Sequence, residues 1–196
     1  MIILVRHPPT KLNESGRVRA QLDPPVPPEG RRVAEKTASH FKGVKVDRIY
    51  ADTTQRTELM AREIAKVTGA PVTLTPKLRT WNLGDFAGQK TADVEKSIDR
   101  YMTKDTSKAV PGGESFAAFV FNLLAFVKPF YDTKKTVVMV THGRDIMTLK
   151  AWQDADGTEA PNDLAGEPLQ AEPDILDPGG IAIFGADQPF KVVKHD

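Results

Sequence analysis

Two stretches of this chain end alike. Residues 2–7 read IILVRH and residues 137–142 read VVMVTH, so an apolar, largely β-branched run delivers a histidine in each case. Histidine is the side chain whose charge changes near neutral pH. Arginine, here Arg6 beside His7, offers a forked donor suited to anions. Continuous apolar runs suit strands buried on both faces of a parallel sheet, and in open α/β sheets ligands bind beyond the carboxyl ends of the strands. Parallel, neighbouring strands would therefore bring His7 and His142 into one crevice. Taken singly, His7 reads equally well as a satisfied structural or solvated residue and His142 more readily so; the matched placement of the two shifts that balance. Pro8 and Pro9 stop the first strand and fix the turn after it. His40, at a helix end, and His195, in the C-terminal tail, read as incidental.

The elements that must position these residues follow from periodicity. Residues 8–28 are rich in Pro, Gly and polar residues and predict a long loop. A helix follows from Pro28 towards Phe41, then a short strand over 46–50. Leu59, Met60, Ile64 and Val67 form one stripe on a helix over 55–68 that Gly69 stops. Residues 71–75 predict a strand, 78–92 loop and 93–103 a helix. Gly112-Gly113 precedes the most apolar helix, 114–130, whose stripe reads as core. The second buried strand, 136–141, leads into a helix to about Trp152, and 180–184 gives a last strand with Val192-Val193 as an edge. This alternation predicts a three-layer α/β fold: a mostly parallel central sheet with helices on both faces.

With 196 residues, 40% of them hydrophobic, the chain can build one domain over 1–196, with an acidic, Pro- and Gly-rich surface excursion over about 153–180. DADGTE, 154–159, lacks the ligand series of a calcium loop and reads as part of that surface. A net charge of +1 provides no bulk attraction for nucleic acid or an anionic membrane, so anion recognition requires a local basic cluster. The absence of cysteine excludes disulfides, thiolate zinc sites and cysteine nucleophiles. No apolar run approaches the roughly 20 residues of a membrane span, and the start of the chain does not read as a signal peptide. The expectation is a cytoplasmic protein with a small-molecule partner; homodimer formation is compatible with it.

Several short motifs occur in order: RHPPT with Asn13 and Gly16-Arg17, QRTELMA at 55–61, GGES at 112–115 and THG at 141–143. Together they resemble the histidine phosphatase superfamily, also called phosphoglycerate mutase-like, over roughly residues 1–150. Pro8 stands where the family's Arg-His-Gly motif has glycine, as in some of its small phosphatases. The resemblance implies a metal-independent phosphatase, without cofactor, that hydrolyses a phosphomonoester or related phosphate. His7 would be the nucleophile that accepts the phosphoryl group, its other nitrogen held by a hydrogen bond. Arg6, Arg56 and His142 would surround the phosphoryl oxygens, because phosphoryl transfer rests on positioning and on neutralising charge. Thr10 and Asn13 match pocket positions. Arg17 and Arg19 share the same loop: Arg19 is the better placed to meet substrate, while Arg17 could equally pin the loop, and a solvated role for either stays open.

One position departs from the family pattern. A segment like L-x-E-x-x-x-G carries the acid that protonates the leaving oxygen; here Leu78–Gly84 places Thr80 at that point. A threonine hydroxyl does not titrate near neutrality. Asp85, Glu114 or Asp145 could substitute, or the leaving group could need no proton. The alternatives to a phosphatase are a phosphoglycerate mutase-like phosphoryl-transfer enzyme and a catalytically impaired module that binds phospho-ligands. The family's mutases are usually longer, so the resemblance implies hydrolysis over mutase chemistry. Trp81 and Phe86 read either as a hydrophobic wall over the pocket or as core.

Overall fold

A computed structural model describes residues 1–155, 157 and 175–194, with backbone alone at 13 and 14. The excursion predicted over 153–180, the DADGTE stretch and His195 therefore lie largely outside the described residues. The elements are β1 (Ile2–Arg6), α1 (Lys11–Glu14), α2 (Pro28–Ser39), β2 (Arg48–Ala51), α3 (Gln55–Thr68), β3 (Val72–Leu74), α4 (Thr91–Thr103), α5 (Phe116–Tyr131), β4 (Val137–Thr141), α6 (Gly143–Asp154), β5 (Ile181–Gly185) and β6 (Gln188–Val193).

They build a six-stranded sheet in the order β3-β2-β4-β1-β5-β6. The first four strands pair in parallel; β5 runs antiparallel to β1 and β6 antiparallel to β5. Every residue of β1 and of β4 is buried. Because side chains alternate across a strand, the continuous apolar runs feed two cores. Ile2, Leu4, Val137 and Met139 join Phe116, Phe119, Leu123 and Leu149 of α5 and α6 on one face. Ile3, Val5, Val138 and Val140 join Ala34, Ala38, Met60 and Ile64 of α2 and α3 on the other. The fold is thus the mostly parallel three-layer α/β arrangement expected, with β1 beside β4.

Several boundaries differ from those the sequence suggests, each for a local reason. The α5 helix starts at Phe116 rather than Glu114, because the Ser115 hydroxyl accepts from Ala118 N at 3.1 Å and caps it. Within 8–28 the chain makes one helical turn, and near 78–92 it makes two 3₁₀ turns, Pro76–Leu78 and Gly84–Phe86. The α3 N-terminus takes its acceptor from the distant loop: Asp23 receives Gln55 N at 2.9–3.0 Å.

The end of β1 is fixed by backbone bonds from both sides. His7 N donates to Thr141 O at 3.0 Å, and Gly179 N donates to Arg6 O and His7 O at 3.1 and 3.2 Å. Gly179 has φ +86°, and a Cβ there would lie 2.4 Å from Val33 Cγ1. Its carbonyl accepts from Thr37 Oγ1 at 2.8 Å, so α2 approaches the backbone directly. We predict that Gly179→Ala lowers unfolding free energy by about 1–3 kcal/mol, through positive-φ strain and overpacking. A urea midpoint unchanged from the parent protein would contradict this.

Candidate active site

The strand-end rule brings three strand ends together, not two. β1, β4 and β2 run parallel and adjacent, and the residues at their carboxyl ends are Arg6-His7, His142 and Asp52. All four side chains are buried. The His7 and His142 rings lie 5.2 Å apart between centroids. They open on a cleft of about 540 Å³, which Arg6, Arg56 and Thr80 also line. Arg17, Val18, Arg19 and Ala20 form one wall, and Ile98, Asp99 and Met102 of α4 face it.

His7 has its nitrogens distinguished. Nδ1 lies 2.7 Å from the carbonyl oxygen of Pro8. A carbonyl can only accept, so Nδ1 carries the proton and Nε2 keeps its lone pair. Burial holds the imidazole pKa well below 6.5, and the nearby His142, Arg56 and Arg19 act in the same direction. Above that depressed value the ring is neutral, and Nε2 is the nucleophilic nitrogen.

His142 is held between a carboxylate and a guanidinium. Its Nε2 lies 2.9 Å from Asp52 Oδ2, and Arg56 Nη2 lies 3.3 Å from its Nδ1. Both contacts suit a neutral ring with Nε2–H donating to the carboxylate and Nδ1 accepting from the guanidinium. Burial pulls its pKa down to about 4, opposed by the Asp52 hydrogen bond and reinforced by the Arg56 charge. Burial alone would raise the Asp52 pKa, but hydrogen bonds from His142, Thr53 and Thr54 hold it below the ordinary carboxylate value.

The arginines are anchored as well as charged. Arg6 Nη1 donates to Leu176 O. Gly143 lies flat against that guanidinium: a Cβ there would be 3.1 Å from Arg6 Cζ. Arg56 is fully buried; it donates to Leu22 O at 2.6 Å and faces Asp23 at 3.5 Å, which ties the long loop to α3. Arg17 lines the cleft but donates to Gly88 O at 2.7 Å, so it pins the loop. Arg19 lines the cleft, and its charge reaches both histidines.

The remaining predicted residues separate. Thr10 is buried and is not part of the cleft lining; the side chain of Asn13 lies outside the described residues. Asp85 and Glu114 do not line the cleft either. The Asp85 carboxyl sits against Gly112, and Glu114 Oε1 accepts from Asn82 N at 2.9 Å, holding the loop before α5. Asp145 is fully buried in the first turn of α6, beside Thr141 and Thr80. Trp81 forms both cleft wall and core, stacking edgewise on Phe116 at 5.2 Å, whereas Phe86 packs on Tyr101 away from the cleft.

Three contributions escaped the sequence reading. Asp52 stands at the end of β2 just as the histidines stand at theirs. The α4 helix lends the cleft Thr91, Glu95, Ile98, Asp99 and Met102, a stripe at helical spacing. Arg144, one residue beyond the THG motif, lines the cleft with its guanidinium 5.6 Å over the Trp81 ring.

A phosphoserine phosphatase 1 from Hydrogenobacter thermophilus is 27% identical over 147 residues, covering 72% of this chain and 70% of that protein. A probable phosphoglycerate mutase from Enterobacter sp. is 30% identical over 118 residues, covering 58% of this chain and 55% of its own length. Among solved structures, mycobacterial glucosyl-3-phosphoglycerate phosphatase complexed with VO3 superposes with a TM-score of 0.73 at 20% identity, covering 98% and 96% of the two chains. The α-ribazole phosphatase of Shigella flexneri gives a TM-score of 0.71 at 19% identity, covering 92% and 88%. At these identities the structural likeness is one of fold. The family description of the histidine phosphatase superfamily (branch 1) matches residues 2–164. With that match over most of its length, the chain belongs to the histidine phosphatase superfamily.

Proposed function

We propose that the chain hydrolyses phosphomonoesters through a phosphohistidine at His7. The observation that carries this reading is the state of the His7 ring: a buried, neutral imidazole whose Nδ1–H is committed to the Pro8 carbonyl and whose Nε2 is left for attack, in the wall of a cationic cleft. Nε2 attacks phosphorus as the ester P–O bond breaks, and water then displaces the phosphoryl group from Nε2. Arg6 and Arg56 neutralise the equatorial oxygens, where most of the charge resides. A dianion in the cleft draws His142 towards its protonated form, and Asp52 stabilises the imidazolium. No helix among the described residues is long and apolar enough to cross a membrane.

The same first step would serve a mutase, and the same cleft would serve a module that only binds. An aryl phosphate assay separates these. Turnover is expected from the parent protein, with rapid quenching trapping an acid-labile phosphoryl group on His7. His7→Ala should lower kcat by on the order of 10³-fold or more. Phosphate binding without turnover would favour the binding module. Transfer between 3-phosphoglycerate positions, in the presence of a bisphosphate primer, would favour the mutase.

The depressed His7 pKa sets the acid side of the pH profile. Because the folded value lies below 6.5, the neutral nucleophile persists as pH falls through 6.5 and is lost only well below it. The acid limb of kcat/KM for the aryl ester should therefore lie well below pH 6.5. Arg19→Ala removes one of the positive neighbours and should move that limb upward. A limb at 6.5 in the parent, unmoved in the variant, would contradict the assignment.

A further inference from the structure

Thr80 occupies the position from which the family's acid acts, and the structure shows what stands behind it. Asp145 has no exposed surface. Thr141 Oγ1 is hydrogen-bonded to its Oδ2 and also to Leu78 O, and Thr80 stands beside the same carboxyl. Oδ1 has no hydrogen-bond partner. A charged carboxylate with an unsatisfied buried oxygen is costly, so the protonated acid is the form this site accommodates. Thr80 is also part of the cleft lining, whereas Asp145 is not. Thr80 therefore stands between the buried acid and the cleft.

The charged and polar groups around the carboxyl come from four elements: Thr141 from β4, Thr80 from the loop after β3, Asp52 from the end of β2, and Arg144 from α6 itself. Arg56 of α3 also feels its charge. Burial dominates and, with Asp52, outweighs the two hydroxyls and Arg144, pushing Asp145 up to about 7. A group poised there can both give and take a proton at neutral pH.

We propose that Asp145 is the proton reservoir of the reaction and that the Thr80 hydroxyl relays the proton between Asp145 and the ester oxygen. The proposal rests on the phosphatase reading above. In the first step the His7 Nε2–P bond forms and the P–O ester bond breaks. The Thr80 proton passes to the leaving oxygen while Thr80 Oγ1 takes the Asp145 proton, so an alcohol departs and Asp145 becomes a carboxylate. In the second step water attacks phosphorus and the Nε2–P bond breaks. The water's proton passes to Thr80 and the Thr80 proton returns to Asp145, releasing inorganic phosphate and restoring both groups. Thr80 is never ionised, so the high pKa of its hydroxyl is no obstacle.

Leaving-group dependence tests the relay, because a 4-nitrophenolate departs without a proton and an alkoxide does not. Thr80→Val keeps the shape and removes the hydroxyl; Asp145→Asn removes the reservoir. Each should slow alcohol release from an alkyl phosphate by about 10²-fold or more while leaving the rate of the pre-steady-state burst of 4-nitrophenolate, which needs no leaving-group proton, little changed. Steady-state aryl turnover should fall too, because phosphohistidine hydrolysis uses the same relay. The double variant should be no slower than the slower single. Thr80→Glu in the Asp145→Asn background should restore alkyl turnover by placing a carboxyl directly in the cleft. In the parent, alkyl kcat should fall as pH rises through about 7, and aryl kcat should not. This profile and Thr80→Val decide the matter even if Asp145→Asn does not fold. An equal loss in alcohol release and in the 4-nitrophenolate burst, or full alkyl turnover by Thr80→Val, would overturn the relay alone. Absence of aryl turnover in the parent would overturn the phosphatase reading and the relay with it.

Discussion

The hydrogen bond from His7 Nδ1 to the Pro8 carbonyl is the contact on which the rest of the site depends. It decides which ring nitrogen is protonated and which is free, and that choice decides whether an imidazole is a nucleophile. It also explains how proline can follow this histidine. Pro8 has no N–H to offer and a restricted backbone, but the contact uses its carbonyl, which proline retains. The surrounding cations act twice. Arg6, Arg56 and Arg19 favour an incoming anion, and the positive field of Arg56 and Arg19, with burial, keeps His7 neutral until that anion arrives.

The sheet turns that local chemistry into a site. β1 and β4 are buried on both faces, so their ends have little freedom, and the bonds from Thr141 and Gly179 fix the residues that follow β1. Loop residues then adjust to a rigid edge. Asp23 and the carbonyl of Leu22 fasten the Pro-rich loop to α3 and Arg56, and Arg17 fastens its start to Gly88. The cleft wall is thus made of loop but tied by specific hydrogen bonds, as positioning of a phosphoryl group requires.

Much of this was legible in the residues. The two apolar runs gave away parallel buried strands, and their matched histidines gave away the crevice. The same rule applied to Tyr-Ala-Asp at the end of β2 would have found Asp52; the short, less apolar strand hid it. The α4 wall and Arg144 were not legible because their place depends on how a helix docks across the sheet edge, which periodicity does not encode. The choice among Asp85, Glu114 and Asp145 was likewise tertiary. Asp85 and Glu114 are nearer in sequence to Thr80 than Asp145 is, yet they hold loops together. Asp145, sixty-odd residues away, reaches it because α6 begins where β4 ends beside the loop after β3.

The most direct test of the account is the protonation and tautomeric state of His7 in the unliganded protein, read from the ring ¹⁵N and ¹H shifts by NMR across a pH series, with His7→Gln assigning the signals. The account predicts a neutral ring at pH 6.5 and below, protonated on Nδ1 with Nε2 bare. A ring that is cationic at pH 6.5, or one that carries its single proton on Nε2, would contradict it.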